Sequence, residues 1–257
     1  MSYILSRDAA IHYEEYGSGE SLILLPGLFG TIETTWRRFI PEFARRYHTI
    51  AADLRGHGKT NNPSGRLRLL QLVDDLHTLL DTLGLDEVLI CGYSLGGYIG
   101  LAYGLQHPGM VRALASHATK FAWTPAGAAA LADGLDPDLI AIRSPERARA
   151  MQQDHAPGNG VEGWGDLARA GGEFLTTLPA EGITEAAMRR ADFPVLLSRC
   201  SGDTMVPAEE TAQVAGRLPR AAIASLSGGK HPMDTVPTAE FLAVVTQFFD
   251  SAPGERQ

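Results

Sequence analysis

Ser94 stands in Gly92-Tyr93-Ser94-Leu95-Gly96, between the apolar run Val88-Leu89-Ile90-Cys91 and a helical pattern that begins at Leu95. Small residues two before and two after a serine let a strand turn sharply into a helix, lifting the hydroxyl above a sheet as a candidate nucleophile. The string alone also fits a structural turn, so its weight comes from the flanking strand and helix. A serine hydroxyl attacks a carbonyl only when a base takes its proton and an acceptor orients that base. His231, in Ser227-Gly228-Gly229-Lys230-His231-Pro232, follows the last expected strand in a glycine-rich loop and is the candidate base. Asp203, in Ser201-Gly202-Asp203-Thr204-Met205-Val206-Pro207, follows the strand that ends near Cys200 and is the candidate orienting acid. Three such residues at strand ends, in the order Ser, Asp, His, coincide by accident far less often than any one of them occurs.

Acyl transfer also needs two donors aimed at an oxyanion. The amide of Leu95, at the start of the helix after Ser94, is one candidate. Leu24-Leu25-Pro26-Gly27-Leu28-Phe29-Gly30 leaves a strand through a glycine-rich turn that could hold the amide of Leu28 toward the same point, or that of Phe29 if the loop bends one residue later. The same glycines also suit a plain turn between strand and helix.

These residues need a scaffold that brings strand ends together. Ile11 to Tyr16 and Ser21 to Leu25 are β-rich runs on either side of Gly17-Ser18-Gly19, which predicts a hairpin. Helical and β-rich runs then alternate: a helix in Trp36 to Tyr47, a strand at Thr49 to Ala52, a helix from Leu69 to Leu83, a strand from Glu87 to Cys91, a helix from Leu95 to Gln106 and a strand from Val111 to Ala115. From about Thr119 to Arg190 the β-rich runs disappear, and Pro125, Pro137, Pro145, Pro157 and Pro179 punctuate short helical pieces, as in an insertion. Alternation resumes with a strand at Pro194 to Arg199, a helix at Ala208 to Arg217, a strand at Ala221 to Leu226 and a helix at Thr238 to Phe249. The pattern predicts an α/β fold with a parallel sheet flanked by helices.

Composition narrows the partners. The 257 residues carry 22 Lys and Arg against 30 Asp and Glu, and the resulting charge of −8 argues against a nucleic-acid partner. Cys91 and Cys200 are too few for a disulfide framework and lie in apolar runs, so reduced thiols and a cytoplasmic location are expected. No export signal and no membrane span is read. A small-molecule substrate and a monomer or homodimer are expected. Gly58-Lys59-Thr60 imitates the end of a phosphate-binding loop, but Asp53 occupies the place of the required glycine. No histidine or cysteine set has metal-ligand spacing, so neither a metal nor another cofactor is expected.

The chain resembles the α/β-hydrolase superfamily, in its capped branch of small esterase-like and lactonase-like proteins, over nearly its whole length. Pro26-Gly27-Leu28-Phe29-Gly30 resembles the oxyanion loop, with Pro26 where histidine is common, and Asp53-Leu54-Arg55-Gly56-His57-Gly58-Lys59-Thr60 resembles the segment after the fourth strand. Gly92 to Gly97 resembles the nucleophile elbow, and Asp203 and His231 fall at the acid and base positions. The resemblance implies an eight-stranded, mostly parallel sheet with a helical cap after the sixth strand. That divides the chain into a core of residues 1–118 and 191–257 and a cap of residues 119–190. It implies hydrolysis of a small carboxylic ester, thioester or lactone through an acyl-enzyme. Carbon-carbon bond hydrolases and cofactor-free lyases share these motifs, whereas epoxide hydrolases and haloalkane dehalogenases carry aspartate where Ser94 stands. A ligand-sensing protein with a vestigial triad is the reading from another class.

The remaining histidines divide by context. His12, His48, His77 and His107 are read as packing or surface residues, His57 as a loop support and His155 as solvated. His117, just past an expected strand, is a candidate substrate contact together with Phe29, Tyr93 and Trp123. Phe121, Trp164 and Phe174 are read as the cap's own core.

Overall fold

Leu22-Ile23-Leu24-Leu25 is apolar at every position and almost wholly shielded from solvent, the mark of a strand covered on both faces. The computed structural model describes residues 2–252, and among them eight strands form one sheet. They are β1 (Ser2–Ser6), β2 (Ala9–Tyr16), β3 (Glu20–Leu25), β4 (Tyr47–Ala52), β5 (Val88–Tyr93), β6 (Val111–His117), β7 (Val195–Cys200) and β8 (Ala221–Leu226). Their order is β1-β2-β4-β3-β5-β6-β7-β8, antiparallel from β1 through β2 to β4 and parallel thereafter.

One expectation is corrected at this edge. Gly17-Ser18-Gly19 does not close a hairpin: β4 lies between β2 and β3, and β2 pairs instead with β1 and β4. A step across one strand spans about 10 Å, which three extended residues cover as readily as a turn, so spacing alone did not separate the two.

The two faces of the sheet alternate as the pleat requires. Ile23, Leu25, Ile90, Leu114, Val195 and Leu197 pack against α2 (Leu69–Thr82) and α3 (Leu95–Gln106). Leu22, Leu24, Leu89, Ala113 and Leu196 face α1 (Ile40–Phe43) and α10 (Thr238–Ser251), where Trp36, Phe39, Phe43, Phe241 and Phe249 are fully buried. In α2, buried Leu69, Leu72, Val73, Leu76, Leu79 and Leu80 recur at helical spacing and put one stripe on the sheet.

Between β6 and β7 the described chain forms α4 (Pro125–Asp133), α5 (Pro137–Arg143), α6 (Pro145–Asn159), α7 (Gly163–Glu181) and α8 (Glu185–Met188), which we call the cap; α9 (Ala208–Ala215) follows β7. Pro125, Pro137 and Pro145 open their helices, where the missing N–H costs nothing. Pro157 and Pro179, expected to separate helical pieces, instead lie within the last turns of α6 and α7. Each helix ends soon after its proline, which limits the disruption of its hydrogen-bond ladder.

The cap is latched to the core loop of residues 56–60. Asn159 Nδ2 donates to the carbonyls of Gly56 and Thr60 at 3.0 and 3.1 Å, and the Gly158 amide donates to the Gly58 carbonyl at 3.1 Å. A Cβ on Gly158 would stand 2.7 Å from the Lys59 carbonyl carbon, so this approach requires glycine. His155 belongs to the same latch and is fully buried, not solvated as expected; its Nδ1 accepts the Gly58 amide at 3.0 Å. Beneath it Arg55, also fully buried, binds Asp75 through Nε and Nη2 at 2.8 and 2.7 Å and Asp8 through Nη1 at 2.6 Å. His57 donates from Nδ1 to the Arg55 carbonyl at 2.9 Å, the loop-supporting role expected of it.

Candidate active site

Ser94 joins β5 to α3 with φ 50° and ψ −114°, a left-handed conformation that a non-glycine residue holds only when its surroundings impose it. They do so on both sides. A Cβ on Gly92 would lie 2.3 Å from the Gly97 nitrogen, and one on Gly96 would lie 2.1 Å from the Leu25 carbonyl oxygen. The Ser94 amide donates to the His117 carbonyl at 2.8 Å, while the Ser94 carbonyl accepts the Gly97 amide at 3.0 Å and the Thr119 hydroxyl at 2.9 Å. Thr119 was not singled out from the sequence. The signal was present in its position, two residues past the end of β6, whose last two residues the expected strand did not include.

Asp203 and His231 come from loops after β7 and β8. Asp203 Oδ2 lies 2.9 Å from His231 Nδ1, and its Oδ1 accepts the amides of Met205 and Val206 at 2.8 and 3.0 Å. Burial alone would raise the Asp203 pKa, but the hydrogen bond from His231 and the two amides outweigh it and hold the carboxyl below its ordinary range. Arg199 fixes the loop by donating to the carbonyls of Asp203 and Val206, both at 2.8 Å. The Tyr93 hydroxyl donates to the His231 carbonyl at 3.1 Å and so restrains the histidine loop from the side of the elbow.

Ser94 and His231 open into one cavity of about 260 Å³, and Leu28, Phe29, Tyr93, Leu95 and Trp123 line it as well. Asp203 lies behind His231 and does not line the cavity. The turn at Gly27 to Gly30 is closed by a 2.9 Å hydrogen bond from the Gly30 amide to the Gly27 carbonyl and carries Phe29 at φ 64°. Among the described residues no acceptor takes up the amide of Leu28 or of Leu95. Above this turn a Cβ at Gly171 of α7 would be 3.3 Å from Phe29 Cζ and 3.4 Å from Leu28 Cδ1, so the cap rests directly on the loop.

His117 is corrected: it does not line the cavity. Its ring is buried, with Nδ1 2.9 Å from Ser198 Oγ and the ring centre 5.1 Å from that of Phe241, and burial pushes its pKa down to about 3. It ends β6, between Tyr93 on β5 and Ser198 on β7, with its side chain on the α10 face of the sheet. Of the cap aromatics read as core, Phe121 does stack on Tyr98 at 5.6 Å, whereas Phe174 lines the cavity. Lys120, Arg147 and Met205 line it too and carried no sequence signal, because their direction depends on how the cap and the loop after β7 fold over the sheet. No group of three His, Cys, Asp or Glu among the described residues could hold a metal ion, and none of the described helices is long and apolar enough to cross a membrane.

Residues 20–139 match a family model described as alpha/beta hydrolase fold. The chain is 27% identical over 212 residues to 3-oxoadipate enol-lactonase 2 of Acinetobacter baylyi, covering 76% of each chain. A solved structure from work on carboxylesterases of Nitrososphaera gargenis superposes with a TM-score of 0.78 at 22% identity, over 97% of this chain and 98% of that one. The enol-lactonase of Burkholderia xenovorans superposes with a TM-score of 0.74 at 20% identity, over 97% and 100%.

Proposed function

We propose that this chain, which belongs to the α/β-hydrolase superfamily, is a serine hydrolase that cleaves a small carboxylic ester, thioester or lactone. The observation that carries this reading is the 2.9 Å contact between Asp203 and His231, with His231 facing the same cavity as the strained Ser94. Ser94 Oγ attacks the substrate carbonyl and its proton passes to His231 Nε2, while Asp203 holds Nδ1 and stabilises the charged ring. The amides of Leu28 and Leu95, which have no acceptor among the described residues, take the oxyanion. The bond to the leaving group then breaks, His231 returns the proton to that group, and an acyl-enzyme remains. His231 next deprotonates a water that attacks the acyl carbon; the bond to Ser94 Oγ breaks, His231 returns the proton to Oγ, and the acid is released.

Phe29, Tyr93 and Trp123 form the apolar wall for the substrate in this reading, which treats residues 119–190 as a cap on a core of residues 1–118 and 191–257. Buried, free Cys91 and Cys200 support a reducing compartment such as the cytoplasm. The test is turnover on a panel of short-chain esters, thioesters and lactones. Ser94→Ala should lower kcat by roughly four to six orders of magnitude. Near-normal turnover in that variant would sink the assignment.

A further inference from the structure

The cavity wall carries two cations and no carboxylate, although the chain as a whole has a charge of −8. The cations differ in one respect. Lys120, in the connection after β6, has its Nζ 2.5 Å from Glu210 Oε2 of α9, so its charge is matched. Arg147, in the first turn of α6, is exposed at the cavity and forms no hydrogen bond or ion pair with any described residue. Its neighbour Glu146 is engaged by the Ser144 hydroxyl at 2.8 Å. The first turn of a helix is also where the backbone dipole disfavours a positive side chain, so helix stability gives no reason for arginine there.

Resting on the serine-hydrolase reading above, we infer that Arg147 selects substrates bearing a carboxylate on the part that reaches the cap. The substrate is then an anionic ester, thioester or lactone, not a neutral one. One unmatched guanidinium answers one negative charge, and its planar fork fits a carboxylate with two parallel hydrogen bonds. The apolar residues around it hold the rest of the acyl or alkyl chain.

The test uses an alkyl fluorophosphonate and its length-matched ω-carboxyalkyl analogue, which need no knowledge of the natural substrate. With either probe Ser94 Oγ forms a bond to phosphorus, fluoride leaves and the proton passes to His231. The unmodified chain should react with the carboxylate probe about tenfold faster than with the neutral one, a margin that shrinks with added salt. Arg147→Met should bring the ratio to about one, and Arg149→Met, on the same helix but off the cavity wall, should retain it. Equal rates in the unmodified chain, a salt-independent ratio, or a ratio that survives Arg147→Met would overturn the inference. The salt series needs no variant and decides the matter even if Arg147→Met does not fold. If neither probe labels the unmodified chain under conditions that label a control serine hydrolase, the hydrolase reading falls and takes the inference with it.

Discussion

At the scale of single residues, Asp203 has two engagements that separate its roles. Oδ1 is committed to the amides of Met205 and Val206, which fix the loop, and Oδ2 is committed to His231, which it orients. Asp203→Asn keeps the shape of the side chain but removes the charge that stabilises the histidinium, and an amide nitrogen toward Nδ1 favours the wrong tautomer. It should lower kcat by about 10⁴ while the fold and KM change little. A steady-state assay beside a thermal melt checks this, and an unimpaired kcat would remove Asp203 from the mechanism. That Asp203 meets His231, and that His231 and Ser94 share a cavity, was legible in the sequence because each sits in a short motif tied to a strand end. His117 was misread for a related reason. It too ends a strand, but which face its side chain takes depends on strand register and on Phe241, more than a hundred residues away.

Among the elements, α6 and the loop of residues 56–60 show what local pattern could not reveal. His155 lies in a polar, proline-flanked stretch that looks solvated, yet it is buried against His57 with ring centres 5.6 Å apart. Burial pushes His155 down to about 3 and His57 to about 4, so both stay neutral in the folded chain while unfolded histidines protonate near 6.5. The sign follows from proton linkage: this stability is fully present above pH 6.5 and is lost as the pH falls toward 4. Each such histidine contributes up to about 1.4 kcal/mol per pH unit in that window. Urea midpoints should therefore drop between pH 7 and pH 5, and His155→Gln should make the drop shallower. An unchanged pH slope in the variant would show that His155 is not held neutral by the latch. The strands and helices of the core were largely readable, since β5, α3, β8 and α10 follow apolar runs of the right length. The hairpin expected at Gly17 to Gly19 was not, because the same three residues also serve a step over β4.

On the scale of the whole molecule, the site is assembled between two unequal parts. The sheet is buried on both faces through β3, β5 and β6, and α7 joins its core through Leu167, Phe174, Leu175 and Leu178, whereas α4 to α6 supply no buried member of that core, and α6 meets the loop of residues 56–60 through polar contacts. Amides of α4 to α6 should exchange with solvent through local opening, well before those of β3, β5 and β6, which need global unfolding. Uniform protection across cap and sheet, measured by hydrogen exchange and mass spectrometry, would contradict this division. In the proposed mechanism His231 activates Ser94 as a nucleophile. The most direct test is the intact mass of the chain after exposure to a fluorophosphonate, with peptide mapping and with His231→Ala treated alongside. A single adduct at Ser94 that is lost in the histidine variant is the expected result. An unlabelled Ser94, or labelling that persists without His231, would contradict it.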